Sequence, residues 1–472
     1  MRYPIFGPGE KWGASTLVFS FVLILLVSCD TTRRAGRNSP EPGEVTGIEE
    51  IESDTIFREP TSVDTLETSG ELTEVEGEPG NEEAGKRSRE VYDAVLMLPF
   101  LTNRFTGEGE DLHRISKWSL NFYGGVKMGL DELRKSELSL RLTILDTEGS
   151  EQKVENILVN QLHADSVDLL IGPYRRVNIQ KVAEYGKRNN INVVSPYSAT
   201  SNLTQDNPNF IQVRPSLMTH CNALMRHALQ HNSPQQIVLI AQDEGLDQRS
   251  LHHFQEAYFT WTGTRFTDSL EQLTIQDISE ELDEEEMLAF MEGRDTSVFI
   301  VSAWNMQDES FVYSFLRKLE LARQEEQVIT VYGTPVWQEY DRIDMDYFEK
   351  MNIHISSHIF IDSSSPKISA FRRDYFNRFG TLPTEESYLG YDIIRYFGRM
   401  LESYGSQFQL DLEMETMDGL HTRFAFERVV KPTTTGVENP DIEQFTNKYV
   451  HILKFENYQF QVQDTSTRKR EN

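Results

Sequence analysis

Two short loops concentrate the groups that suit a small polar ligand. Gly172-Pro173-Tyr174-Arg175-Arg176 directly follows the apolar run Val167–Ile171, and Ser195-Pro196-Tyr197-Ser198-Ala199-Thr200 follows Asn192–Val194. In an open parallel sheet such loops lie beyond the carboxyl ends of the strands, where helix N-termini present free N–H groups. Arg176 is either the bidentate partner of an anionic ligand group or an exposed arginine at a helix start. Tyr174 and Tyr197 either floor a ligand or pack half-buried. Asp243 and Glu244, just after QIVLIA, are the carboxylates a free amino group would seek, or ordinary acids of a first helical turn. Trp304, three residues after SVFIV, and Trp337, five after QVITVY, stand where aromatic rings would close over a ligand; packing is the alternative for both.

Catalytic chemistry finds no comparable footing. GVKMG and IGPYRR are not phosphate loops, and GxSxG, GxGxxG and CxxC are absent. Two cysteines, Cys29 and Cys221, rule out a disulfide framework and a thiolate-rich metal site. The 11 histidines fall in no metal-binding spacing. Cys221 adjoins His220 on a predicted helix, but adjacent helix positions do not face each other. No catalytic residue, metal or cofactor is therefore expected. The 75 acidic and 46 basic residues leave a net charge of -29, which disfavours nucleic acid as a partner and direct docking on an anionic membrane.

The elements that must position these loops repeat in a regular order. From Val91 onward come VYDAVLMLPF, an amphipathic helix from Ser116 to Leu133, the strand SLRLTILDT, a helix over Val154–Leu162, the strand VDLLI, a helix over Val177–Arg188, and the buried strand INVV. This β-α-β order implies a parallel sheet covered on both faces. FIQVR with Pro215 breaks the rhythm and reads as a crossover. The same grammar then restarts, with strands at QIVLIA, SVFIV and QVITVY and Leu273–Ile275 as a further candidate. IHISSHIFI reads as a strand or hinge passage, two helices follow, and Arg423 to Val462 alternates in the manner of strands. The expected fold is thus α/β with two parallel-sheet, Rossmann-like lobes. A chain of 472 residues accommodates two or three domains at roughly 150 residues each. The first lobe is expected over 91–214 and the second over 215–352, with 353–472 returning through a hinge to both.

The N-terminal 90 residues are of another kind. Ala14–Ser28, ASTLVFSFVLILLVS, is uncharged and too short for the roughly 20 apolar residues of a spanning helix. With Arg2 and Lys11 ahead of it, the run has the form of a secretory signal over 1–28. Its end, Leu26-Val27-Ser28-Cys29, resembles the lipobox of bacterial lipoproteins, which implies cleavage before Cys29 and lipidation (palmitate included) of that residue. An uncleaved anchor is the alternative, and either one places the body outside the cytoplasm. Residues 29–90 read as a disordered acidic linker, since Ser39–Gly85 holds 15 acidic residues and a single aromatic, Phe57. Such a tether reaches roughly 40–50 Å and longer with self-repulsion.

The body resembles a type I periplasmic binding protein of the branched-chain amino acid class over about Val91 to Val462. The resemblance rests on LLIGPYRRVN, NVVSPYSAT, FIQVRPS, FRRDYFNRFGTLPTEESYLGYDIIRYF and, more loosely, GLHTRFAFERV, in that order and spacing. It implies two α/β lobes joined by three crossovers and closing on a ligand between them. In that class the two first-lobe loops hold an amino acid carboxylate through serine and threonine hydroxyls and backbone N–H groups. Ser198 and Thr200 match the second loop; the first departs, with Arg176 where serine is usual, which speaks against a leucine-like mode. The implied function is a lipid-anchored, extracytoplasmic solute-binding protein for a small polar or amino-acid-like ligand, in a bacterial envelope and on its outer rather than inner membrane, with an envelope transporter as a possible recipient. The alternative is a degenerate binding-protein scaffold that contacts an envelope protein or cell-wall component without a small ligand.

Overall fold

The computed structural model describes residues 91–463, except 106–111, 137, 201–202, 244, 265–268, 277, 279–281, 283, 325 and 432–440. The signal segment, Cys29, the acidic linker and Glu244 all lie outside the described residues. The first lobe opens with strand β1 (Tyr92–Leu98), helix α1 (Arg114–Leu133), β2 (Leu140–Asp146), α2 (Glu151–Asn160), β3 (Leu169–Ile171), α3 (Arg176–Asn189), β4 (Asn192–Ser195) and β5 (Phe210–Gln212). The second follows with α4 (Leu217–His231), β6 (Ile237–Gln242), α5 (Gly245–Thr262), β7 (Glu271–Ile275), α6 (Glu284–Met291), β8 (Thr296–Ser302), α7 (Glu309–Ala322), β9 (Val328–Gly333), α8 (Met345–Lys350) and β10 (His354–Ser357). The remainder is α9 (Pro366–Phe379), α10 (Glu385–Tyr404), β11 (Thr416–Asp418), β12 (Arg423–Val430), β13 (Ile442–Asn447), β14 (His451–Glu456) and β15 (Gln459–Val462).

These strands form two sheets, one in the order β11-β12-β13-β5-β4-β3-β1-β2 and the other β15-β14-β10-β9-β8-β6-β7. The chain passes between them three times: between β5 and α4, between β10 and α9, and between β13 and β14. This is the type I periplasmic binding protein fold. Alternation along each strand explains its two-faced burial. Leu96 and Leu98 of β1 join Phe122 and Val126 of α1 and Ile393 and Phe397 of α10 on one face. Val95 and Met97 join Val154 of α2 and Ile179 and Val182 of α3 on the other. In the second sheet Val238 and Ile240 point to α7 while Leu239 and Ala241 point to α4 and α5. Each such fully buried aliphatic side chain contributes about 1.5–3 kcal/mol relative to exposure.

Three expectations change. The sheets are mixed rather than purely parallel, because β12 runs antiparallel to β13, β11 to β12, β14 to β10 and β15 to β14. Phe210–Gln212 is the fifth strand of the first sheet, parallel to β4, and the crossing begins only after it. Within the strand-like stretch Arg423–Val462, Ile442–Asn447 is a strand of its own that the sequence does not single out, and it runs parallel to β5. The α1–α10 crossing depends on missing side chains. A Cβ on Gly125 would stand 1.8 Å from the Ser387 carbonyl oxygen, and one on Gly390 2.2 Å from that of Phe122. No helix among the described residues is long and apolar enough to cross a membrane.

Candidate functional site

The carboxyl ends of the parallel strands in the two sheets carry most of the sequence-predicted residues. In the first lobe, Asp146 at the end of β2 organises the loop after β1. Its carboxylate accepts from the N–H groups of Phe100 (2.9 Å), Leu101 (3.2 Å), Thr102 (2.9 Å) and Glu148 (2.8 Å) and from the Thr102 hydroxyl (2.7 Å). Burial alone would raise its pKa, but the hydrogen bonds from Thr102, Glu148 and Leu101 prevail and lower it. Beside this loop, Gly172 ends β3 with φ +95°, and a Cβ there would meet the Met97 carbonyl oxygen at 2.3 Å.

Tyr174 and Tyr197 are brought together. Their rings stack at 4.5 Å, and Trp118 of α1 stands edge-on to them at 4.7 and 5.7 Å. The Arg214 guanidinium, from the first crossing, lies 5.4 Å over Tyr197. Arg176 is the half-buried first residue of α3 and makes no ion pair or side-chain hydrogen bond among the described residues. Ser198 and Thr200 are buried in one turn, with the Ser198 Oγ accepting from the Thr200 N–H at 3.3 Å. Two further polar residues at this end were missed from sequence. The Ser195 hydroxyl and both amide atoms of Asn178, in the first turn of α3, are buried without a partner among the described residues.

The second lobe redistributes the expected roles. Asp243 is exposed, and its carboxylate accepts from the Gln248 amide at 3.2 Å and the Gln276 amide at 2.9 Å, which ties together the loops after β6 and β7. One helical turn later stands Asp247. It is 2% exposed; the backbone and side-chain amides of Gln242 and the Trp304 backbone N–H face it and offset part of the effect of burial, though none makes a well-formed hydrogen bond to it. Burial first, and then the charge of Asp308, push its pKa up to about 8; burial also raises that of Asp308. Asp308 follows β8 and accepts from the Asn305 N–H at 2.7 Å. The Gln242 side-chain amide faces both Asp247 and Asp308 and offsets part of the effect of burial at each.

Trp304 belongs to this group. Its indole N–H donates to the Ser302 hydroxyl at 2.9 Å, Ser302 bonds Ser250, and the Ser250 hydroxyl donates to the Asp247 carbonyl at 2.8 Å. Trp337 does not. It is 1% exposed and lies among Tyr340, Phe348 and the rest of the second lobe's core. Gly333 makes this possible, since a Cβ there would sit 2.4 Å from the indole. The expected lid residue is a packing residue.

A pocket of about 190 Å³ lies elsewhere, at the crossings, lined by residues that include Phe360, Asp418, His421, Thr422, Tyr449 and His451. Among the described residues no group of three His, Cys, Asp or Glu side chains is arranged to hold a metal ion. The site offers buried acceptors in one lobe and aromatic rings, hydroxyls and a helix N-terminus in the other. That arrangement suits binding, not bond making.

Comparison with known proteins agrees with this geometry. The family described as the receptor family ligand binding region matches residues 124–470. Among solved structures, a protein of Rhodospirillum rubrum given as a branched-chain amino acid ABC transporter is 14% identical, with a TM-score of 0.56 over 79% of this chain and 100% of that one. A branched-chain amino acid ABC transporter periplasmic ligand-binding protein from Burkholderia xenovorans is 10% identical, with a TM-score of 0.50 over 79% of this chain and 94% of that one. No curated protein matches significantly.

Proposed function

We propose, for a chain that belongs to the receptor family of ligand binding regions, that it captures a small, amino-acid-like solute carrying a cationic group between its two lobes. The observation that carries this reading is Asp247, a buried carboxylate beside Asp308 with no well-formed hydrogen bond of its own at the carboxyl end of the second sheet. An ammonium group would give Asp247 a well-formed, charge-assisted donor and would offset the repulsion between the two carboxylates. Trp304 would border the ligand, Tyr174 and Tyr197 would floor it, and Ser198, Thr200, Arg176 and the α3 N-terminus would take its anionic end. Asp243 has a lesser claim, because its oxygens are already engaged by two glutamines. The lipobox-like end of the apolar run, at Cys29, supports a lipid-anchored protein of a bacterial envelope, handing its ligand to a transporter there.

Native mass spectrometry of protein gently purified from its host tests the first part. A retained ligand with an amine or guanidine is the expected result; a bound species without a cationic group removes Asp247 from the site. Arg176→Ala should weaken binding at least about tenfold by calorimetry, in line with a lost charged hydrogen-bond pair. Incorporation of labelled fatty acid that is lost in Cys29→Ala tests the anchor.

One observation favours a second reading, a binding-protein scaffold that contacts an envelope protein or cell-wall component. Tyr174, Tyr197 and Trp118 already cover one another, and Arg214 covers Tyr197, so part of the floor is occupied by the protein's own side chains. Protein free of any ligand, with amine-bearing solutes producing no thermal shift, is the result that selects it.

A further inference from the structure

The three passages between the lobes share one side-chain type. His220 lies in the first turn of α4, just after the first crossing; His358 opens the second crossing, directly after β10; and His451 is the first residue of β14, directly after the third. The Nδ1 atoms of His220 and His358 and both ring nitrogens of His451 are shut off from solvent and unpartnered among the described residues. From these placements we propose that the crossings form a proton-gated hinge: acidification charges His220, His358 and His451 together and drives the two lobes apart. This inference is independent of what, if anything, binds between the lobes.

The surroundings offer little to hold new positive charge. Arg214 of the first crossing faces both His220 and His358. His421, in the turn between β11 and β12, faces His358 and His451, and Arg423 of β12 also faces His451. Aromatic rings close the remaining sides, with Trp304 6.1 Å from His220, and Phe360 and Tyr449 6.1 and 4.9 Å from His451. The carboxylates nearby are mostly engaged. Asp392 of α10 is fully buried; its Oδ2 accepts from the Leu420 N–H (2.6 Å), the His421 N–H (3.1 Å) and the His421 ring (2.5 Å), while its Oδ1 has no partner among the described residues. Asp362, which lines a pocket with Lys367 and His451, accepts from the Ser364 N–H and hydroxyl. Asp418 is held by Arg423 at 2.6 Å. Glu385, at the start of α10, faces Arg214 and His421 but also two further acids, Glu386 and Glu339.

Burial accordingly holds all three imidazoles neutral: it lowers His220 to about 3 and His451 to about 4, and His358 well below the ordinary value, with Arg214 adding to the effect at His220 and His358. In an opened hinge the rings would be solvated and titrate near the ordinary 6.5. At pH 5 each histidine then favours the opened form by about 30-fold, and three together by on the order of 10⁴-fold. That factor is about what is needed to invert a 1:99 population.

The test uses the full chain in detergent micelles, with a fluorescent dye pair at Val159 in α2 and Leu321 in α7, which are 77% and 59% exposed, attached through genetically encoded azides. Energy transfer should fall between pH 7 and 5 with uptake of more than one proton, while near-UV circular dichroism still reports packed side chains. The double variant His358→Gln and His451→Gln should open at a pH lower by at least about one unit, and His252→Gln with His253→Gln, on the outer side of α5, should open as the parent does. If the first double variant fails to fold at pH 7.5, His220→Gln replaces it, with an expected downward shift of roughly half a unit because two of the three histidines remain. Energy transfer that stays constant until the near-UV signal is lost overturns the proposal. So does a hinge variant that opens at the parent's pH.

Discussion

Asp247→Asn offers the most direct probe of the second-lobe acceptor group. The folded protein holds the Asp247 proton up to a pKa of about 8, against the ordinary carboxylate value of 3.8. Between those limits the folded state binds more protons than the unfolded one, so stability must fall as pH rises from about 4 to about 8. A gap of about four units, at 1.36 kcal/mol each, makes the burden on the order of 5 kcal/mol at pH 8 and negligible at pH 4. The side chain is 2% exposed, so solvent screening reduces this little. Asparagine keeps the shape and removes the charge, and it also relieves Asp308 of a like-charged neighbour. The variant should therefore melt about 5–10 °C above the parent at pH 8 by scanning calorimetry and within a degree or two of it at pH 4. Melting curves that run parallel from pH 4 to 8 would refute the claim that Asp247 is buried and unsatisfied.

A cationic ligand bound at Asp247 should release close to one proton at pH 7, read by titration calorimetry in buffers of different ionisation enthalpy; buffer-independent heats would place the ligand elsewhere. Gly125→Ala should lower the urea midpoint far more than Gly124→Ala, because the first new Cβ meets the Ser387 backbone at 1.8 Å and the second only the Tyr375 hydroxyl at 2.5 Å. Asp392→Ala, which strands the buried His421 ring and two N–H groups, should cost about 3–5 kcal/mol and speed hydrogen exchange at Leu420 and His421. Asp146, with its lowered pKa, contributes stability that is fully present above the unfolded-state pKa and lost as pH falls through the folded one, so Asp146→Asn should flatten the acid limb of the pH–stability curve.

The strands that face helices on both sides were legible because nothing polar interrupts them: LLI, VVS, IVLIA and VFIV are buried end to end. Strand β13 escaped because its buried residues are mostly polar. Gln444 bonds Gln212 across the sheet at 3.3 Å, and Asn447 accepts from the Ala425 N–H at 3.1 Å, so tertiary hydrogen bonds replace the missing apolar pattern. In the second lobe the acids just after β6 were visible, but the buried one was not. Asp247, Ser250, Leu251, Phe254, Ala257 and Tyr258 fall at three- and four-residue steps on the buried face of α5, a stripe that separates Asp247 from the exposed Asp243. Trp337 misled for a different reason. Distance past a strand end says nothing about whether a preceding glycine lets the ring fold back onto its own sheet.

The order of strands in the two sheets also governs how the polypeptide can mature during synthesis. The first sheet waits for β13, which ends at Asn447, and the second for β14 and β15, which end at Val462. A nascent chain halted at Ser357 would own ten of the fifteen described strands and complete neither sheet. Completion of both halves is thereby deferred until strands beyond Asn447 have been made, so the two lobes must mature together rather than one after the other.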